Sequence, residues 1–267
     1  MKWHAALALA LLLVARAAAA QPCDICRLPS GQYRTVAPPG WDGKTRLPLL
    51  LFLHGWQSSA ASTLADGDVT GPAGRQGFLL VAPDGVGKSW HFRGSKADGR
   101  DDIGFLHAVL ADVETRFPID RRLVVAAGFS IGASMVWDLA CHASTGFSAF
   151  LPLSGGFWEP FPTRCETGPV NLRHTHGRAD TTFPFGGRAV AGMRQGDVAK
   201  GLALWRDIDG CAAAPSAHSL DAGLACDVWR RCSSGRQLQL CRHDGGHMIE
   251  AWHLESGLIW ARGLPAR

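Results

Sequence analysis

Nothing in the 267-residue chain forms a basic stripe with interleaved aromatics, a charge block, a low-complexity tract or an internal repeat. The first absence removes the electrostatic case for nucleic acid. The others leave no linker and no repeat architecture, so one domain of the larger α/β kind accounts for the length. The chain also has no apolar run long enough to cross a bilayer. Its N-terminus has Lys2, an apolar stretch from Ala5 to Val14, and Ala18-Ala19-Ala20 before Gln21. This pattern predicts a secretory signal over residues 1–20, cleaved near Ala20, and a single domain over 21–267 in the periplasm or outside the cell. Gln21-Pro22 are not the small residues that a lipid-modified Cys23 would need, so no membrane anchor is expected. Loss of the leader removes Lys2 and Arg16 and takes the 27 cationic residues to 25 against 23 acidic ones, a net charge of only +2.

A zinc-protease His-Glu-x-x-His helix is missing as well. The pairs His174-x-His176 and His243 with His247 have spacings a metal site uses, but each leads from a strand end into a loop, and neither metal nor cofactor is expected. Cysteine, by contrast, is plentiful. All eight lie beyond the leader, and an even number in an exported chain reads as disulfides, with 105 connectivities open. Topology singles out one pair: the helix beyond Ser130 ends near Cys141, and Cys165 precedes the next core strand at the same edge. Cys23-x-x-Cys26 reads as a local or framework disulfide rather than a redox or zinc motif.

Short apolar runs alternate with helical patterns along the rest of the chain. Strands are expected at 32–36, 47–53, 78–82, 122–127, 149–153, 170–175 and 237–241. Helices are expected after Asp101-Asp102, which caps the face Ile103, Leu106, Val109, Leu110 and Val113, and at 133–141, about 191–208, and 250–262. Such alternation means a mainly parallel central sheet covered by helices on both faces, an α/β fold with its reacting groups at the carboxyl ends of the strands.

The centre of this pattern is Arg122–Ala143. A β-branched run meets Gly128-Phe129-Ser130-Ile131-Gly132, after which apolar residues recur at helical spacing. Strand, tight turn and helix place Ser130 at a strained apex, with glycines on either side removing the Cβ atoms that would collide. A serine hydroxyl needs a base and a group that orients the base. Asp180, in the loop GRADTTFPFGG, and His247, after Asp244-Gly245-Gly246, follow later strand ends in the order Ser, Asp, His. His243 is the rival base, but it sits too near its strand to reach across. The backbone N–H groups of Ile131 and of Trp56, in His54-Gly55-Trp56-Gln57, are candidates for holding an oxyanion. Trp90, Trp158 and Phe183, with Trp56, fall in loops after strands where a substrate pocket forms, although at least one of these rings is expected to plug the core instead.

The segments LLLFLHGW, APDG, SWHFRG, GRDDIGFLHAVLADV, GFSIGASMVWDLAC, HGRADTTFPFGG and GGH together resemble the secreted esterases grouped with polyhydroxybutyrate depolymerases, and their feruloyl and acetyl xylan esterase relatives. The resemblance covers nearly all of the chain beyond the leader. It implies an α/β-hydrolase fold, with Ser130 as nucleophile, Asp180 as acid and His247 as base, and hydrolysis of a carboxylic ester through an acyl-enzyme. Where the family often has Ser-x-Gly-Gly and a tryptophan-proline pair, this chain has Ile131-Gly132-Ala133 and Met248-Ile249, departures that bear on the substrate rather than on the reaction. The expected partner is an ester substrate, a hydroxyalkanoate oligomer or a plant cell-wall ester. A binding protein on a hydrolase scaffold is the reading from another class, and the intact Ser, Asp and His argue against it.

Overall fold

The apolar run Leu47–Leu53 has no polar side because both of its faces are covered. Successive side chains of a strand point to opposite faces. Leu49, Leu51 and Leu53 join one buried cluster, with Phe105 and Val109. Leu50 and Phe52 join another, with Val69, Ala73, Leu254 and Leu258. A computed structural model of the chain describes residues 23–95, 99–221 and 223–265. The expected leader, residues 1–20, lies outside the described residues.

In chain order the elements are β1 (Cys26–Leu28), β2 (Gly31–Val36), β3 (Leu47–Leu53), α1 (Ala60–Ala65), α2 (Gly67–Arg75), β4 (Leu79–Pro83), α3 (Asp102–Arg116), β5 (Ile119–Phe129) and α4 (Ile131–His142), followed by β6 (Ala149–Leu153), β7 (Leu172–Gly177), β8 (Arg188–Val190), β9 (Met193–Gln195), α5 (Val198–Asp209), β10 (Ala217–Asp221), β11 (Leu224–Trp229), β12 (Leu238–His243) and α6 (Ala251–Arg262). One sheet takes the order β1-β2-β4-β3-β5-β6-β7-β12-β11-β10. Strands β4, β3, β5, β6, β7 and β12 run parallel, and antiparallel strands extend both ends. Helices α3, α4 and α5 contribute to the first buried cluster, and α2 and α6 to the second. The parallel sheet with helices on both faces therefore stands as expected.

Local chemistry sets the helix ends. Asp101 accepts a hydrogen bond from the Gly104 N–H at 2.9 Å and caps α3, as its position before the apolar stripe predicts. Helix α5 is shorter than expected. Residues 191–195 belong instead to a β8–β9 hairpin, in which Val190 pairs with Met193 across Ala191-Gly192. Both turn residues have positive φ, 49° and 74°, the backbone of a two-residue hairpin loop whose twist matches the strands. Asp197 then caps α5 through the Ala199 N–H. Strand β2 is not the edge, because β1 pairs outside it.

Four disulfides are present: Cys23–Cys26, Cys141–Cys165, Cys211–Cys232 and Cys226–Cys241. The pair argued from topology, Cys141–Cys165, ties the end of α4 to the chain leading into β7. Cys226 and Cys241 stand directly opposite each other on β11 and β12.

Candidate active site

Ser130 occupies the turn between β5 and α4 with φ 58° and ψ −120°, a region that L-residues rarely enter and that costs of order 1–3 kcal/mol. Its surroundings impose that shape. The Ser130 N–H donates to the Leu153 carbonyl at 2.9 Å. A Cβ on Gly132 would collide with the carbonyl oxygens of Leu53 and His54, and one on Gly128 would meet the Gly132 carbonyl. The flanking glycines let strand and helix approach closely enough to push the serine outward.

Two other loops converge on this hydroxyl. His247 Nδ1–H donates to Asp180 Oδ2 at 2.7 Å, and His247 Nε2 lies 2.8 Å from Ser130 Oγ, placed to accept its proton. The His247 ring packs against Phe129, with centroids 4.8 Å apart. Asp180 is buried, and its other oxygen accepts from the Thr182 and Phe183 N–H groups at 2.9 and 2.8 Å. Burial works against the Asp180 charge, yet the bonds from His247 and the Phe183 N–H outweigh it and hold the carboxyl below its ordinary value. The loops carrying Asp180 and His247 are also bound to each other, through Arg178 N–H to the His243 carbonyl at 2.8 Å and Ala179 N–H to the Gly245 carbonyl at 3.1 Å.

His243 does not approach Ser130. It lies at the end of β12, buried, with its ring stacked on His253 at 4.1 Å and its Nδ1 accepting the Gly245 N–H at 3.2 Å. His174 and His176 form a buried pair, Nε2 to Nδ1 at 3.0 Å, and His176 Nε2–H donates to the Phe183 carbonyl at 2.9 Å. Burial pushes His176 down to about 4, so it stays neutral and braces the turn that carries Asp180.

The loop after β3 brings Trp56 to the same place. His54 Nδ1–H donates to the Gly55 carbonyl at 2.8 Å, and its Nε2 accepts the Gly85 N–H at 3.0 Å. The Gln57 N–H donates to the Lys88 carbonyl at 2.9 Å. The Trp56 and Ile131 N–H groups have no partner among the described residues.

A cavity of about 370 Å³ opens beside Ser130, within the usual range for small-molecule sites. Gly55, Trp56 and His247 line its mouth, Phe52, Phe129, Val69 and Ile249 supply apolar wall, and Ser58, Ser62, Thr63, Asp66 and Thr182 supply polar wall. Three of the rings expected in a pocket are elsewhere. Trp90, Trp158 and Phe183 are buried at 1%, 6% and 2% exposure, and none lines the cavity. Trp90 donates its indole N–H to the His54 carbonyl at 2.9 Å and Trp158 donates to Ser134 Oγ at 3.1 Å. Their polar handles are satisfied inside, so these rings brace the loops from behind. Trp56, at 68% exposure, is the one expected ring at the mouth. Sequence reasoning missed the α1–α2 wall, although the caps Ser59 and Asp66 mark where those short helices begin.

No family model matches the chain. Among curated proteins it is similar to a probable feruloyl esterase C of Aspergillus niger, 29% identical over 164 residues covering 58% of this chain and 57% of that protein. It is likewise similar to feruloyl esterase C of Emericella nidulans, 28% identical over 213 residues, 72% of this chain and 75% of that protein. The match thus spans little more than half of the Aspergillus niger protein. Among solved structures, an acetyl xylan esterase from Aspergillus awamori superposes with a TM-score of 0.62 at 12% identity, covering 86% of this chain and 93% of that one. The Bacillus cereus carboxylesterase superposes with a TM-score of 0.56 at 14% identity, covering 87% and 95%. At such identities the structural likeness establishes the fold, that of the α/β-hydrolases. The curated proteins this chain resembles and the structures it superposes on are esterases by name.

Proposed function

We propose that this chain is a serine esterase that cleaves carboxylic esters of the plant cell wall through an acyl-enzyme. The observation that carries the reading is the unbroken hydrogen-bond chain Ser130–His247–Asp180 at the mouth of a cavity. Ser130 Oγ attacks the ester carbonyl carbon as its proton passes to His247 Nε2. The imidazolium is stabilised by the Asp180 carboxylate, which also holds the ring with Nδ1 protonated and Nε2 facing the serine. The carbonyl oxygen gains negative charge and is held by the Trp56 and Ile131 N–H groups, at a helix N-terminus that favours an anion. Collapse expels the alkoxide, which takes the proton from His247. Water then repeats the sequence on the acyl-enzyme, with His247 as base, and releases the acid and free Ser130.

The substrate class is supported by the names of the curated relatives, feruloyl esterases. The polyhydroxybutyrate reading rests on motif resemblance alone. Export from the cytoplasm is supported by the four disulfides, which persist in oxidising compartments. The test is a panel of p-nitrophenyl acetate, methyl ferulate, acetylated xylan and hydroxybutyrate oligomers. Turnover of methyl ferulate is expected; turnover of hydroxybutyrate oligomers alone would replace the cell-wall reading. A folded sample that cleaves none of the four would point to the binding protein.

A further inference from the structure

Behind Asp180 stand two buried imidazoles in series. His174 and His176 project from the same face of β7, as residues two apart on a strand do, and both are fully enclosed. Their tautomers fix each other. The Phe183 carbonyl can only accept, so His176 Nε2 carries a proton and its Nδ1 a lone pair, and the 3.0 Å contact makes His174 Nε2–H the donor to that lone pair. Phe183 is thereby held at both of its polar groups, its carbonyl by His176 and its N–H by Asp180 Oδ1 at 2.8 Å. The turn begins at Gly177, whose carbonyl accepts the Asp180 N–H at 3.2 Å, so the His176 side chain straps the far end of the turn to the strand from which it starts. His176 Nε2 lies 3.7 Å from Asp180 Oδ2, beyond hydrogen-bond reach, and that oxygen is left to His247. The titratable groups that act on His176 are Asp180, His247, His243 and His174, and burial keeps both imidazoles of the pair neutral. The other rings packed on the pair, Trp137, Phe183 and Phe185, carry no charge.

We propose that His176, with its tautomer fixed by His174, is a positioning residue for the reaction at Ser130: it holds Phe183 so that the turn saturates one oxygen of Asp180 and leaves the other to orient His247. This rests on the esterase reading of Ser130 and adds to it a residue that touches neither the serine nor the cavity. Without the bond to its carbonyl, Phe183 loosens its hold on Asp180 Oδ1, and the carboxylate swings away from His247 Nδ1. A carboxylate bonded to an imidazole favours the protonated ring, so a loosely held one lets the base shed its proton at lower pH and gives less support to the imidazolium of the transition state. The consequence falls on kcat rather than on KM. His174 acts one step further back. Once its Nε2–H is gone, His176 Nδ1 is free to carry the proton instead, and the ring then has no donor for the Phe183 carbonyl.

The experiment measures kcat and KM for p-nitrophenyl acetate across the acidic limb of the pH profile, in wild type, His176→Leu, His176→Gln and His174→Phe. Rates are expressed per site titrated with a fluorophosphonate, and circular dichroism checks the fold. His176→Leu should lose about tenfold or more in kcat with KM within about twofold of wild type. The midpoint of its acidic limb in kcat/KM should lie about one pH unit lower, because that limb reports protonation of the base. Gln carries an N–H for the Phe183 carbonyl and an oxygen for His174 Nε2–H, so His176→Gln should return kcat to within about threefold of wild type and restore the midpoint. His174→Phe, which leaves the His176 ring in place, should fall between. Should His176→Leu fail to fold, His174→Phe decides alone, by the same drop in kcat and the same direction of the midpoint. A wild-type kcat and midpoint in the folded variants would overturn the proposal. A loss of kcat with the midpoint unmoved would also overturn it, since that is what a merely structural strand residue gives, and so would a Gln variant no better than Leu. Absence of turnover in wild type defeats the esterase reading itself, and this assignment with it.

Discussion

Gly177, at the end of β7, sits so close beneath Gly246 that a Cβ on Gly177 would collide with the carbonyl oxygens of Gly245 and Gly246. The loops bearing Asp180 and His247 meet at this contact, and two backbone hydrogen bonds run beside it. Gly177→Ala must therefore push the loops apart and lengthen the His247–Asp180 bond. A displacement of about 1 Å at such a site costs on the order of a hundredfold in rate. We expect kcat on p-nitrophenyl acetate to fall by tenfold or more, with circular dichroism unchanged. An Ala variant of wild-type kcat would mean that the contact does not hold the two loops in place.

His243 and His247 are predicted to behave differently. His247→Ala removes the group 2.8 Å from Ser130 Oγ. Its loss should approach that of Ser130→Ala, because members of such a unit are not additive and general-base assistance alone is worth about 10²–10⁴. His243→Ala removes the stack on His253, the edge contact with Trp252 and the bond from the Gly245 N–H, none of which touches Ser130, and most activity should remain. Turnover of each folded single variant decides it, and a dead His243→Ala beside an active His247→Ala would reverse the assignment.

How much of this was legible in the sequence follows from which signals are local. Strand β3 and strand β6 were legible to the residue, because a continuous apolar run bounded by turn residues admits no other register. The elbow at Ser130 was legible because the collisions at Gly128 and Gly132 occur within one turn of chain and its two neighbouring elements. The β10–β11 hairpin was not: Ala217–Asp221 is largely exposed, with Leu220 84% exposed, so it carries no alternation to read. The misplaced start of α5 has a related cause, since Ala191-Gly192 looks helix-compatible until its positive φ values are known. Trp90 and Trp158 were misread as pocket walls because a tryptophan in a loop announces area but not direction. Their indole N–H groups found acceptors inside, and that depends on distant chain.

Stability should depend on pH through Asp209. Burial holds its carboxyl up to about 7 from an ordinary 3.8, although the Val170 N–H and Arg236 favour its charge. Between those values the unfolded chain has released the proton and the folded chain has kept it, so this group's contribution to stability is lost as pH rises from about 4 to 7. His176, pushed down from 6.5 to about 4, acts with the opposite sign: the unfolded chain binds its proton first, and stability is lost as pH falls through that window. Comparing Asp209→Asn with wild type isolates the first effect. The thermal midpoint of the variant, relative to wild type, should be higher at pH 7.5 than at pH 4.5 by several degrees. A difference independent of pH would show that Asp209 is ionised in the folded protein.

Loop length separates the disulfides. Cys141–Cys165 spans 24 residues and Cys23–Cys26 only 3. In the chain-entropy account a bridge closing a loop of that longer size contributes about 3 kcal/mol, and a bridge within one turn restricts the unfolded chain far less. Replacing Cys141 and Cys165 by Ala should lower the thermal midpoint clearly more than the same change at Cys23 and Cys26. Equal effects would tie the N-terminal bridge to the core.

The central claim is that Ser130 is the nucleophile, and covalent capture tests it most directly. A fluorophosphonate probe should label one serine, found by peptide mapping at Ser130, and labelling should track loss of esterase turnover. Both labelling and turnover should vanish in Ser130→Ala. Labelling that persists in Ser130→Ala, or turnover that survives full labelling elsewhere, would contradict the account.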